Sequence, residues 1–203
     1  VRMEDLRAVL PRFVGEIEQV PPAYSAIKVG GRKLYEAARA GEALEVPSRR
    51  VQIYGLDLAG QSGENRFLLD VRCGRGTYIR TLCHDIGRAL GTCAHMAFLL
   101  RVRSGVFGIE DAVTPEEFLA GAPDAHLMPL DAPLQHLPAV RLGETLERAV
   151  RNGNPIRMEH WKRPLQEGTV ARIYLGQAFA GIGQAQEGRI RFRCMLLRGG
   201  SPQ

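Results

Sequence analysis

A tyrosine and an arginine two residues apart follow a pair of glycines in the segment RCGRGTYIRTLCHDIG, residues 72–87. An aromatic ring beside a guanidinium can stack on a nucleobase, hold a phosphate or orient a carboxylate through two parallel hydrogen bonds. Tyr78 and Arg80 are therefore the first candidates for chemistry in this chain. Alternatively, Tyr78 fills a core and Arg80 pairs with a surface acid, and the spacing alone does not decide between these interpretations.

The residues around this pair predict a strand, a tight turn and a helix. Residues 67–73 follow the period-two pattern of a strand with one face in a core. Gly74 and Gly76 then allow the backbone to turn sharply and to approach another molecule closely. Thr77 can cap a helix whose apolar residues recur at helical spacing as far as Leu90. The turn would place both candidate side chains where the strand meets the helix.

A second group of aromatic and cationic residues lies in residues 19–41, QVPPAYSAIKVGGRKLYEAARAG. The two prolines favour extended backbone, the two adjacent glycines favour a turn, and a short helix is expected to follow. Such side chains on a constrained loop suit single-stranded or flipped-out nucleotides, although a solvated basic turn is the alternative. The side chains concerned are Tyr24, Lys28, Arg32 and Lys33.

Further apolar patterns predict an α+β fold. Strands are expected at residues 50–58, 66–73 and 94–102. Thr114 and Glu117 form a capping box that predicts the start of a helix, and the proline-rich and alanine-rich stretch at 120–138 indicates a domain boundary. A helix and three short strands after it predict a small barrel-like domain. The arginines expected on its surface are Arg172, Arg189, Arg191 and Arg193.

The composition favours a polyanionic partner and gives no support for a metal site or a membrane segment. The net charge is +5 and the pI is about 9.3, and arginine supplies most of the cations, which suits bidentate phosphate contacts. The four cysteines form no CxxC pair, so neither a zinc knuckle nor a disulfide framework is expected. No apolar run has the length of a membrane span. A cytoplasmic protein is therefore expected.

Three stretches of this chain occur in the same order and spacing in the bacterial TruB family of tRNA pseudouridine synthases, which the chain resembles. They are QVPPAYSAIKVGGRKLYEAARAG, RCGRGTYIRTLCHDIGRALG and LLRVRSGVF. The resemblance implies a mixed-sheet catalytic domain, incomplete at its N-terminus, over residues 1–130, and a PUA-like RNA-binding domain over residues 131–203. It also implies isomerisation of uridine 55 in the T loop of tRNA, without a cofactor, by a protein that is monomeric when complete.

The resemblance further implies roles for individual residues. Tyr78 would pack against the uracil ring near the carbon that loses its proton, and Arg80 would pair with the catalytic aspartate. Leu99 would lie in the wall of the substrate pocket. The side chains expected to bind RNA are Tyr24, Lys28, Arg32, Lys33, Arg101, Arg172 and Arg191.

Two positions depart from the family pattern. The nucleophilic aspartate of the family lies in a GTLDP-like motif ahead of the PPAYSAIK stretch, and this sequence contains no such motif. Leu100 stands where the family usually carries an arginine beside Arg101, so one phosphate contact is expected to be weaker. The chain therefore resembles the C-terminal two-thirds of the enzyme, and we expect it to need the missing N-terminal segment for activity. A non-catalytic module that binds or folds tRNA is the alternative.

Overall fold

The chain forms two compact units, Val1–Leu100 and Arg101–Gln203. The structure is a computed structural model, and it describes residues 1–42, 44–160 and 164–197. Each unit contains helices as well as strands, so the predicted α+β fold class is confirmed. The boundary that the sequence indicates lies later in the chain, at residue 130, and remains a prediction.

The first unit is organised around a three-stranded antiparallel sheet. Its strands and hairpin are β1 (Gly15–Gln19), β2 (Lys28–Val29), β3 (Arg32–Lys33), β4 (Arg49–Gly63) and β5 (Arg66–Cys73), and its helices are α1 (Met3–Val9), α2 (Leu34–Arg39) and α3 (Ile79–Ala89). The sheet has the order β1-β4-β5, and β2 pairs with β3 as a separate hairpin. The predicted strands at 50–58 and 66–73 and the helix after the glycine turn are confirmed.

The core of the first unit lies between this sheet and the helices. Ile53 of β4, Leu82 of α3 and Leu6 of α1 are buried in one apolar cluster. Along β5 exposed and half-buried residues alternate, because successive side chains of a strand point to opposite faces of the sheet. The cluster therefore fixes where β5 ends and α3 begins, which is the junction that carries the candidate site.

The prediction of a strand at 94–102 is wrong, since residues 93–102 have no regular secondary structure. A strand needs a neighbour for its backbone N–H and C=O groups, and no strand in the described part of the chain pairs with this run. Its large side chains are accordingly exposed, with Phe98 at 74% and Leu99 at 52%.

The second unit contains a five-stranded mixed sheet. The strands of this unit, not all of which belong to that sheet, are β6 (Arg103–Ser104), β7 (Phe107–Gly108), β8 (Ala139–Leu142), β9 (Ile156–Arg157), β10 (Val170–Leu175), β11 (Ala178–Gln186) and β12 (Arg189–Met195). The helices of this unit are α4 (Pro115–Ala120) and α5 (Glu147–Arg151). The sheet has the order β8-β10-β11-β12-β9, with β8 parallel to β10 and the other pairs antiparallel. The three predicted strands are confirmed, and so is the capping box that starts α4.

Strand β10 lies inside this sheet, between β8 and β11. Its residues are buried on both faces, from Ala171 to Leu175, with Ile173 fully buried. Arg172, which the sequence places on the surface, is therefore buried, and the alternation that predicted its exposure does not hold for a strand covered on both sides. The arginines of β12, by contrast, are exposed as predicted: Arg189, Arg191 and Arg193.

Candidate active site and RNA interface

The turn between β5 and α3 is held by one hydrogen bond to strand β4 and one within the turn itself. The N–H of Gly74 donates to the carbonyl of Gln52 at 2.8 Å, and the Thr77 hydroxyl donates to the Gly74 carbonyl at 2.9 Å. Gly76 has φ +82°, a left-handed conformation that favours glycine. Thr77 closes the turn and does not cap the helix as predicted, because the N-cap residue of α3 is Tyr78.

Tyr78 is held at the start of α3 by the side chain of Gln19, the last residue of β1. The Tyr78 N–H donates to Gln19 Oε1 at 3.0 Å, and Gln19 Nε2 donates to the Tyr78 carbonyl at 3.3 Å. Gln19 is only 2% exposed. Sequence reasoning missed this residue, because nothing in the local pattern links a glutamine to a turn that follows 59 residues later.

Arg80 is exposed at the first turn of α3, and its guanidinium reaches back to the proline-rich loop. Its Nη2 donates to the Tyr24 carbonyl at 2.9 Å, and the neighbouring Thr81 hydroxyl donates to the Val20 carbonyl at 3.3 Å. Within the described ranges, no salt bridge involves Arg80. The structure thus joins the Arg80 side chain to the backbone of Tyr24 and leaves Arg80, two residues after Tyr78, without a salt bridge to any described residue.

An open cleft of about 620 Å³ lies beside Arg80, along the outer face of α3. Charged residues of both signs line it, together with apolar groups from the β1 side. The lining residues are Phe13, Glu18, Val20, Pro22, Arg80, Thr81, His84, Asp85 and Arg88. The guanidinium therefore faces accessible space, where a ligand or another segment of protein could reach it.

The β2-β3 hairpin presents three of the predicted RNA-binding cations. Lys28 and Lys33 are directly opposite each other in the register, and the turn between them has Gly30 at φ +58° and Gly31 at φ +86°. Two such φ values are the requirement of a tight hairpin turn. Cations opposite each other on adjacent strands repel, so an anion bound between them would relieve the repulsion.

The cations of this hairpin differ in their partners. Arg32 pairs with Glu42 at 2.8 Å, and Lys33 donates to the Tyr35 hydroxyl at 3.2 Å. That hydrogen bond is the main cause of a raised pKa for Lys33. Lys28 is exposed and forms no salt bridge with any residue that the structure describes. Beside the hairpin in sequence, the ring of Tyr24 is 59% exposed.

The remaining predicted residues of the site lie on other segments of the chain. Leu99 lies on the irregular exposed run and is itself 52% exposed. Arg101 is exposed and belongs to the second unit. Arg191 is exposed on β12 and pairs with Glu187 at 2.9 Å.

Arg172 makes internal contacts only. Its Nε donates to the Leu137 carbonyl at 3.1 Å and its Nη1 to the Tyr174 hydroxyl at 3.2 Å, while Asp131 lies 3.5 Å away. The Tyr174 hydroxyl also donates to Asp131, and this hydrogen bond lowers the pKa of that carboxyl group. Arg172 therefore fastens the segment before β8 to β10, an inner strand of the sheet.

The described residues offer no cluster of three or more histidine, cysteine or acidic side chains that could hold a metal ion. All four cysteines are unpaired thiols, and burial raises the pKa of Cys83. No helix in the described ranges is long and apolar enough to cross a membrane.

Three family models match the chain in succession and cover almost all of it. Residues 1–79 match the N-terminal domain of the TruB family pseudouridylate synthases, residues 80–135 match the C-terminal domain of tRNA pseudouridylate synthase B, and residues 138–196 match a second C-terminal model of pseudouridine synthase II TruB. The chain belongs to the TruB family of pseudouridine synthases. The resemblance identified from the PPAYSAIK and GTYIR segments is thereby confirmed.

Curated TruB relatives support this membership. The chain is 45% identical over 190 residues to the tRNA pseudouridine synthase B of Thiobacillus denitrificans, and 40% identical over 190 residues to that of Caldanaerobacter subterraneus subsp. tengcongensis. The alignments cover 92% and 93% of this chain but 62% and 64% of those relatives. The chain therefore spans less than two-thirds of the length of the TruB proteins that it matches.

Two solved structures of larger complexes share the fold. A Cbf5-Nop10-Gar1 complex matches with a TM-score of 0.68 at 24% identity, over 96% of this chain and 62% of the other. An H/ACA ribonucleoprotein bound to a substrate RNA containing 2'-deoxyuridine matches with a TM-score of 0.68 at 22% identity. At this level of identity the likeness concerns the fold alone.

Proposed function

We propose that this chain forms part of a tRNA pseudouridine synthase that isomerises uridine 55 of the T loop to pseudouridine without a cofactor. Membership of the TruB family and the activity after which the curated relatives are named support the reaction class. The observation that carries the proposal is the Arg80 guanidinium, which is exposed at a cleft in the first turn of α3, two residues after Tyr78, and makes no salt bridge in the described part of the chain.

In this proposal, Tyr78 and Arg80 have different roles at the reacting base. The Tyr78 ring packs against the uracil near the carbon that gives up its proton. Arg80 holds a carboxylate that lies outside this sequence, since a neighbouring guanidinium keeps a carboxylate ionised and fixes its direction. That carboxylate belongs to the nucleophilic aspartate of a GTLDP-like motif, which these 203 residues do not contain.

The tRNA would be held mainly by groups outside the reacting centre. Tyr24 is exposed and available for base stacking, and Lys28, which forms no salt bridge with any described residue, offers a cation on a tight hairpin. Arg32, Lys33 and Arg191 would exchange their present partners for phosphates. Such exchange costs little because exposed ion pairs contribute little to stability.

Flipping the target base costs a few kcal/mol of stacking and pairing energy, which these contacts would offset.

Arg101 and Leu99 are placed in the interface and the pocket by family resemblance alone. A tRNA substrate implies work in the cytoplasm, and we expect the complete protein to be a monomer.

Tritium release from tRNA labelled at uracil C5 tests the proposal directly. The chain is combined with the remaining part of a TruB protein, either fused or as a second polypeptide, and Arg80→Ala is compared with Arg66→Ala, an exposed β5 arginine outside the cleft. We expect release with the unchanged chain and with Arg66→Ala, and a loss of at least about 100-fold with Arg80→Ala. No release from the completed unchanged protein would refute the proposal.

A second candidate function is tRNA binding without catalysis. The lack of a GTLDP-like motif together with exposed arginines at alternate positions of β12 favours it for the chain alone. Because binding through phosphates releases counterions, tRNA affinity should fall steeply with added salt. If the affinity stayed constant from about 50 to 200 mM salt, this function would be excluded.

A further inference from the structure

Gln19 has an unusual position for a polar side chain. It is the last residue of β1 and is 2% exposed. Both the oxygen and the nitrogen of its side-chain amide form hydrogen bonds with the backbone of one residue, Tyr78. A buried amide without partners would be costly, so its two hydrogen bonds to Tyr78 are what allow it to lie there.

The Gln19 amide forms hydrogen bonds with the backbone of Tyr78 as a peptide group of a neighbouring strand does in a sheet. It accepts from the Tyr78 N–H at 3.0 Å and donates to the Tyr78 carbonyl at 3.3 Å. Tyr78 is the N-cap of α3, with φ −97° and ψ 105°, and its side chain makes no capping hydrogen bond. The Gln19 side chain thus binds the peptide units on both sides of the Tyr78 Cα. The Tyr78 carbonyl also accepts from the Leu82 N–H of α3 at 3.0 Å, so Gln19 is the side chain that holds the Tyr78 N–H and supplements the helix at the carbonyl.

Two further contacts continue the same attachment along α3. Thr81 donates to the Val20 carbonyl, and Arg80 donates to the Tyr24 carbonyl. Both lie at the exposed surface, whereas the Gln19 contact is partly buried. Because a hydrogen bond is stronger where water is excluded, we expect the Gln19 contact to be the strongest of these links.

We propose that Gln19 is a positioning residue that fixes the backbone of Tyr78 and thereby sets the direction of the Tyr78 ring and of the Arg80 guanidinium. This inference rests on the proposed function, which assigns the reacting centre to those two side chains. Gln19 itself touches no substrate. Its effect therefore falls on the rate of the chemical step and not on tRNA affinity, since a misplacement of about 1 Å can cost about 100-fold in rate.

Two substitutions separate positioning from general stability. Gln19→Met keeps the length and volume of the side chain but removes both hydrogen bonds. Gln19→Glu gives a carboxylate that accepts from the Tyr78 N–H but faces the Tyr78 carbonyl with a second acceptor. When this carboxyl group is protonated, it can donate and accept as the amide does. Gln61→Met is the matched control, because Gln61 also donates to a backbone carbonyl but is exposed.

The completed TruB protein is assayed for single-turnover rate, tRNA affinity and thermal melting. For Gln19→Met we expect the rate to fall about 10- to 100-fold with affinity within about threefold of the unchanged protein. For Gln19→Glu, the rate relative to the unchanged protein should rise as the pH is lowered and the carboxyl group takes up its proton, which burial makes easier. Gln61→Met should match the unchanged protein.

Hydrogen exchange at the Tyr78 amide gives a readout that does not depend on turnover. In this 203-residue chain the amide should be protected, and Gln19→Met should remove the protection. A Gln19→Met protein with an unchanged rate, or a Gln19→Glu rate ratio that does not vary with pH, would overturn the positioning role. Full turnover in Arg80→Ala would instead overturn the proposed function.

Discussion

Substitution of Arg172 by methionine should destabilise the second unit without weakening RNA binding. Arg172 is 9% exposed, and its guanidinium is held by the Leu137 carbonyl, the Tyr174 hydroxyl and Asp131, at 3.1, 3.2 and 3.5 Å. Methionine retains most of the aliphatic packing but leaves these acceptors without their donor. An arginine that faces the RNA would behave in the opposite way.

The size of the effect follows from burial. Removing one member of a buried ion pair costs about 3–5 kcal/mol, and because the remaining groups keep some access to water we expect the lower end for Arg172→Met, about 3 kcal/mol. For a domain of about 100 residues this lowers the melting temperature by about 12 °C or more. Arg191→Met is the comparison, since its ion pair is shorter, at 2.9 Å, but 52% and 78% exposed. It should cost less than about 0.5 kcal/mol.

Thermal melts and tRNA binding at two salt concentrations measure both properties in the same variants. Arg191→Met should reduce affinity and lower the slope of log affinity against log salt by about 1, while Arg172→Met should leave both unchanged at a temperature where it is folded. If Arg172→Met lost as much affinity as Arg191→Met and melted like the unchanged chain, the internal role of Arg172 would be wrong.

Three further predictions concern the same fold. The pKa of Asp131 is lowered mainly by the hydrogen bond from Tyr174. The stability that this carboxylate contributes is therefore complete above its unfolded-state pKa and is lost as the pH falls through its folded-state pKa. Melting temperatures measured from about pH 5 to 2 should fall less in Asp131→Asn than in the unchanged chain. Gly76→Ala should destabilise by about 1–2 kcal/mol because of its left-handed φ, whereas Gly74→Ala, whose added Cβ would meet its nearest atoms at 3.5 Å, should be tolerated in the same denaturation experiment. The Ser25 hydroxyl is buried and has no hydrogen-bond partner among the described residues, so Ser25→Ala should keep or raise the melting temperature, and a clear decrease would show that the hydroxyl has a partner.

The sequence was sufficient where structure is determined by near neighbours. The alternation before Gly74 and the helical spacing after Tyr78 predicted β5, the turn and α3, because each depends on residues within one or two turns of chain. The capping box at Thr114 was predicted for the same reason. These elements also locate Tyr78 and Arg80 at the junction.

Long-range contacts could not be predicted in this way. The apolar run at 94–102 has the composition of a strand, but a strand forms only where a neighbour supplies hydrogen bonds, and none is described beside it. Arg172 was expected at the surface because neither strand β8 nor the covering of both faces of β10 is visible in a local pattern. The pairing of Gln19 with Tyr78 depends on the sheet that brings their loops together.

The central claim is that Arg80 is exposed at its cleft in order to hold a carboxylate from outside this chain. The most direct test is the distance between the Arg80 guanidinium nitrogens and the nearest carboxylate oxygen in a crystal structure of the complete TruB protein. We predict a carboxylate from beyond these 203 residues within the 4.0 Å of a salt bridge. An Arg80 that instead pairs with an acid of this chain, such as Asp85, or binds only the Tyr24 carbonyl, would contradict the claim.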